Sequence, residues 1–153
     1  MKLKLTALLL VVMMIFIIGG CSSQETLTVT KGKLTVGFDQ GFPPMGFVGD
    51  DGEFTGFDLD LAAEAAKRMG LELELQPIAW DSKDMELETK NIDCIWNGFT
   101  INGREDKYTW TEPYMANTQV FVVRADSDIT TLADLAGKAV AVQVDSSAEA
   151  ALA

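Results

Sequence analysis

Histidine is missing from all 153 residues. With it go the Ser-His-Asp arrangement of nucleophilic hydrolysis and any zinc site built on imidazole. Cysteine is nearly missing. The two present, Cys21 and Cys94, sit so differently that no disulfide framework follows from them. Positive charge is scarce as well. Twelve Lys and Arg stand against 23 Asp and Glu, a net charge of −11. That balance argues against a nucleic-acid partner, because a phosphate backbone needs Lys and Arg to neutralise it. The acidity reads as a soluble, self-repelling surface. Internal repeats are absent, and one long apolar run occurs, Leu5 to Ile18.

That run belongs to a targeting segment. Lys2 and Lys4 form a positive start, Leu5 to Ile18 an apolar middle, and Gly19 and Gly20 a small-residue end. A membrane span needs about 20 apolar residues, so the run is short for that role. Ile18-Gly19-Gly20-Cys21 resembles a bacterial lipobox, in which the cysteine thiol takes a diacylglyceryl group and the chain is cut before it. Residues 1–20 are therefore expected to be a lipoprotein signal peptide, with Cys21 the lipidated residue. An uncleaved anchor and ordinary secretion are the alternatives. Cleavage would also remove Lys2 and Lys4 and leave the remainder more acidic. Cys94 lies in an apolar strand pattern with Ile92, Ile95 and Trp96 and reads as a small buried hydrophobe.

Residues 21–32 read as a tether, polar and without periodicity. Leu34 to Phe38 is a first strand. Gly49-Asp50-Asp51-Gly52 is a turn at a hairpin tip. Leu71-Glu72-Leu73-Glu74-Leu75 alternates strictly and is a strand with one buried face. Ser82 is expected to cap a helix running to about Lys90. Asp93 to Trp96 is a third strand. Gln119 to Arg124 and Ala139 to Val144 are expected to be further apolar strands. Thr131-Leu132-Ala133-Asp134 has capping-box form, with Gly137 as the stop. Ser146 starts a last helix. The β-α-β-α-β order implies an α/β fold with a mostly parallel sheet and helices on both faces.

Between the hairpin and the second strand lies Gly56-Phe57-Asp58-Leu59-Asp60-Leu61-Ala62-Ala63-Glu64-Ala65-Ala66-Lys67-Arg68-Met69. Gly56 permits a tight turn. Asp58 and Asp60 place negative charge at the positive end of a helix. Leu59, Ala62, Ala63, Ala66 and Met69 recur at helical spacing and define its buried face, and Gly70 ends it. This string matches in full the signature of family 3 of the bacterial extracellular solute-binding proteins, the amino-acid receptors of ABC importers.

The resemblance runs from about residue 33 to residue 153. It implies a periplasmic-binding-protein type II-like fold of two α/β lobes that close on one amino acid. Residues 33–118 would form lobe one. Residues 119–153 would form the crossover and a truncated start of lobe two, so that lobe two is incomplete in this chain. Carried over residue by residue, Asp39 and Phe42 follow the first strand as a polar contact and an aromatic. Trp80 is an aromatic wall that would clamp the ligand with Phe42. Asn97, Gly98 and Thr100 follow the third strand, where backbone groups meet the ligand's α-amino and α-carboxylate groups. Ligands of open α/β sheets bind beyond the carboxyl ends of the strands, and Gly98 allows close approach. Arg104 would hold the α-carboxylate, a match for the guanidinium fork. The stretch from Thr100 to Arg104 is one residue shorter than in many members. A surface ion pair of Arg104 with Glu105 or Asp106 is the competing reading.

From lobe two, Gln143, Ser146 and Ser147 would supply closing contacts. Asp145 stands where many members have glycine. The acidic residue that grips the α-ammonium would lie beyond residue 153, so weak or no binding is expected of this chain alone. The implied protein is an extracytoplasmic, lipid-anchored, monomeric receptor for a polar amino acid. Its partners are that ligand, ABC permease subunits, and the membrane through lipid on Cys21. No metal, cofactor or catalytic residue is implied. An enzyme on the same fold, such as a cyclohexadienyl dehydratase, is the alternative, although no activated nucleophile or paired carboxylates stand at suggestive spacing. A signalling module and a non-functional receptor fragment are the others.

Overall fold

A computed structural model describes residues 28–152 of the chain. The targeting segment, Cys21 and most of the tether lie outside the described residues. The end of the tether region is tied to the sheet. Thr28 is buried, and the Asp93 carboxylate accepts the backbone N–H groups of Val29 and Thr35.

Three parallel strands form the main sheet: β1 (Lys33–Phe38), β5 (Glu72–Pro77) and β6 (Cys94–Ile95). Their order is β5-β1-β6, with Val36 opposite both Leu75 and Cys94. Between β1 and β5 lies an antiparallel meander of β2 (Gly41–Phe42), β3 (Gly46–Val48) and β4 (Phe54–Thr55). Its Gly49–Gly52 turn is the hairpin tip expected from the sequence.

Helix α1 (Phe57–Met69) packs on one sheet face. Leu34, Val36, Ala62 and Ala66 form the core there, with Leu73, Leu75, Cys94 and Trp96 packed against it. Leu59 is buried as expected, but Ala63 is exposed and Met69 is 51 % exposed. The buried stripe is Leu59, Ala62 and Ala66, one face at helical spacing, and Ala63 and Met69 fall outside it. Phe38, Ile78 and Ile92 are buried too, and Ile78 and Ile92 close over Gly37.

Ser82 does not cap a helix. A 3₁₀ turn over Trp80–Ser82 leads straight into α2 (Lys83–Glu88), and Ser82 already has helical backbone angles with no cap bond from its side chain. The helix also stops before Lys90. The Thr89 hydroxyl donates to the Met85 carbonyl at 2.6 Å, and Lys90 turns left-handed at φ 61°.

The two later strands expected from the sequence are not formed. Residues 119–124 and 139–144 are not strands and join no sheet among the described residues. Val120 and Val122 are 74 % and 91 % exposed. Their apolar, β-branched sequence suits a strand, but a strand is completed by a neighbour's ladder, and none lies alongside among the described residues. The capping box at Thr131 is formed and opens a 3₁₀ turn over Leu132–Leu135. The chain then enters α3 (Ser147–Leu152).

Candidate ligand-binding site

The start of the site is set by how α1 begins. Gly56 has φ 138°, and a Cβ there would lie 2.3 Å from the Met45 carbonyl oxygen. With no side chain in the way, the Phe57 and Asp58 N–H groups donate to the Pro44 and Met45 carbonyls at 2.9 and 3.0 Å. Backbone carbonyls thus satisfy the helix start that a side-chain cap would otherwise serve. The meander is held over the carboxyl end of the sheet, and Phe42 with it.

Asp58 is fully buried. Its Oδ1 accepts the Tyr114 hydroxyl at 2.7 Å, while Oδ2 has no hydrogen-bond partner. Burial pushes its pKa up, opposed by the Tyr114 hydroxyl and the Gly98 backbone amide. The same burial, with the carboxylate beside it, raises the Tyr114 phenol. Asp58 therefore anchors residues 110–117 against α1 instead of simply charging the helix start. Burial pushes the Cys94 thiol up to about 11, which leaves it a structural and unreactive group.

The expected site residues fall into two groups. One lines a cavity of about 450 Å³ walled by Phe42, Met45, residues 95–102 and residues 110–117. Phe42, Asn97, Gly98 and Thr100 belong here. Gly98 is left-handed at φ 55°, and a Cβ on it would sit 3.4 Å from the Phe42 ring. The Asn97 side chain is buried and accepts the Asp39 N–H at 3.0 Å, so it locks the end of β1 to the end of β6. The Thr100 hydroxyl accepts from the Asn117 amide.

The second group gathers around the 143–147 turn. Gln143 donates to Asp39 Oδ2 at 2.7 Å. Trp80 Nε1 and Arg104 Nη2 both donate to the Asp145 carbonyl, at 3.2 and 3.0 Å. Arg104 Nη1 is buried with no partner. Its guanidinium lies 5.1 Å from the Phe99 ring, and no ion pair with Glu105 or Asp106 is formed among the described residues. Ser146 accepts the Glu149 N–H at 3.1 Å and so caps α3, while Ser147 opens that helix.

Several residues at the site had not been singled out. Phe99 sits between Trp80, Tyr108 and Trp110 with ring centroids 4.9–5.0 Å away. Lys83 is 1 % exposed and pairs with Asp145. A signal for Lys83 was present: it falls three residues after Trp80 and four before Leu87, on the face that helical spacing should make apolar. The Asp145 role had no such signal, since the partners of its carboxylate and carbonyl lie 41 to 65 positions away.

The model of the bacterial extracellular solute-binding proteins, family 3, matches residues 34–151. The L-cystine-binding protein TcyJ of Escherichia coli (strain K12) is 39 % identical over 115 residues, covering 73 % of this chain and 43 % of that protein. The arginine-binding extracellular protein ArtP of Bacillus subtilis (strain 168) is 30 % identical over 145 residues, 94 % of this chain and 56 % of its own length. Among solved structures, the P235GK mutant of ArgBP from T. maritima superimposes with a TM-score of 0.73 at 42 % identity, covering 79 % of this chain and 54 % of that one. The chain spans about half the length of the curated relatives it matches.

Proposed function

Because this chain belongs to family 3 of the bacterial extracellular solute-binding proteins, we propose that it is the front of an extracytoplasmic receptor that captures a polar amino acid for an ABC importer. The observation that carries this reading is Arg104. One arm of its guanidinium is bound to the Asp145 carbonyl, and the other is buried and unpartnered. A buried N–H without a partner costs about 1–3 kcal/mol, more when it is charged. A ligand α-carboxylate reaching that arm would satisfy it. The relatives above bind cystine and arginine by their names, which supports an amino-acid ligand and favours a receptor over the dehydratase alternative. Residues 33–118 then act as lobe one and residues 119–153 as the crossover and the start of lobe two. Capture would proceed by closure of the two lobes, a population shift driven by ligand contacts to both. Cys21 would carry the lipid that holds a monomeric receptor at the membrane near its permease.

Calorimetric titration of the native receptor extracted from membranes, with both lobes in place, against arginine, cystine and a panel of other polar amino acids tests the reading. One of them is expected to bind, and Arg104→Ala should weaken that binding by about 10- to 100-fold, the loss of a charge-assisted hydrogen bond. Binding unchanged in Arg104→Ala, or no binding across the panel, would overturn it.

A further inference from the structure

Lysine is almost never fully buried unless it is paired, yet Lys83 is 1 % exposed. Among the described residues its ammonium meets one anion, the Asp145 carboxylate, 62 positions along the chain. The ammonium also lies 5.3 Å from the Trp80 ring centroid.

Asp145 is held through its backbone as well as its carboxylate. Its backbone is left-handed at φ 55°, an uncommon state for a residue with a side chain. Its carbonyl accepts from Trp80 and Arg104, and its N–H donates to the Glu149 carboxylate. Taking away the anion that a buried ammonium faces leaves an uncompensated charge, a larger loss than the pair's own worth, although here the Asp145 side of the pair is half exposed. Lys83 therefore requires an anion at this point, and the 143–147 turn supplies it.

We propose that Lys83 and Asp145 form a latch between lobe one and the turn that opens lobe two. It is a positioning pair that draws Ser146 and Ser147 over the site before any ligand arrives. Its purpose rests on the receptor reading, but the latch itself is measurable without ligand. Charge supplies the selectivity: the turn docks because a buried ammonium on lobe one has nothing else to neutralise it. Docking also places a chain carbonyl on one arm of Arg104, leaving the other arm for the ligand.

Proton–nitrogen NMR of the full chain at neutral pH tests this, reading the indole N–H signals of Trp80, Trp96 and Trp110, with Trp80 assigned from Trp80→Phe. Asp145→Asn is expected to shift the Trp80 indole signal and speed its hydrogen exchange by about tenfold or more, while Trp96 keeps its position. Asp145→Glu, which keeps the charge, should restore much of the protection. Lys83→Met should give the same Trp80 change and add nothing when combined with Asp145→Asn. If Lys83→Met fails to fold, Trp96 will report it, and the half-exposed Asp145 variants still decide. A Trp80 signal equally placed and protected in wild type and Asp145→Asn would overturn the latch. Amino-acid titration of the native receptor with both lobes in place separates the two readings: a Trp80 response without amino-acid binding keeps the latch and removes the receptor, and binding without a Trp80 response does the reverse.

Discussion

Asp58 shows how one carboxyl can be read correctly in place and incorrectly in role. In the sequence it is an acid at a helix start, where the macrodipole favours negative charge. In the fold it is sealed from water under Tyr114. Its pKa is raised by burial, so the folded state holds its proton more tightly than the unfolded chain does. The stabilisation from this group is then fully present at low pH and is lost as pH rises through the folded pKa. Asp58→Asn keeps an acceptor for Tyr114 and cannot ionise. The thermal midpoint of the wild type, relative to Asp58→Asn, should therefore fall as pH is raised above the ordinary carboxylate pKa of about 4. Calorimetric melting of both proteins across that rise checks it, and a rising or flat difference would contradict the burial argument.

At the scale of elements, α1 was legible because its signals are local. Gly56, the acidic first turn, the apolar stripe and Gly70 all lie within one stretch, and each is used as expected apart from Ala63, Met69 and the role of Asp58. Its two bounding glycines nevertheless differ in kind. Gly70 closes the helix at φ 69° with nothing within 4 Å of a Cβ, whereas a Cβ on Gly56 would strike the Met45 carbonyl. Gly70→Ala should cost about 1 kcal/mol, the penalty for a side chain in left-handed backbone. Gly56→Ala adds a backbone collision and loss of the first-turn hydrogen bonds, and should cost about 3 kcal/mol or more. Urea unfolding of the two variants distinguishes them, and equal losses would refute the steric account. The α2 region was harder to read, because a 3₁₀ turn and a helix share one periodic pattern and only backbone angles separate them.

At the scale of the whole molecule, the described chain has a covered half and an uncovered one. The β5-β1-β6 sheet is packed against α1, while residues 119–124 join no strand, with Val120 and Val122 in solvent. An unpaired apolar strand-forming segment is a template for association. The isolated 153-residue chain should therefore self-associate with rising concentration, unlike the proposed monomeric receptor with a whole lobe two, and Val120→Lys with Val122→Lys should reduce that at least several-fold as read by light scattering. Association unchanged by both lysines would place the sticky surface elsewhere. The net charge of −11 opposes association but is spread over the chain and does not shield one apolar stretch.

What the sequence determined by itself was set by neighbours in the chain, with the Ser82 cap and the Ala63 and Met69 members of the α1 stripe as the exceptions. Strand alternation in Leu71–Leu75, the Gly49–Gly52 tip, the α1 stripe and the capping box at Thr131 are all short-range patterns, and the family signature lies within one of them. Tertiary structure alone decided which long-range partners those elements acquired. It sealed Asp58 under a tyrosine 56 positions away and turned the Asn97 side chain to holding β1. It left two apolar runs unpaired because no ladder partner lies beside them. It also brought Asp145 to the buried Lys83 and to Arg104. The reason is common to all of these: burial, pairing and charge neutralisation depend on what arrives from far along the chain, and local propensity carries no record of it.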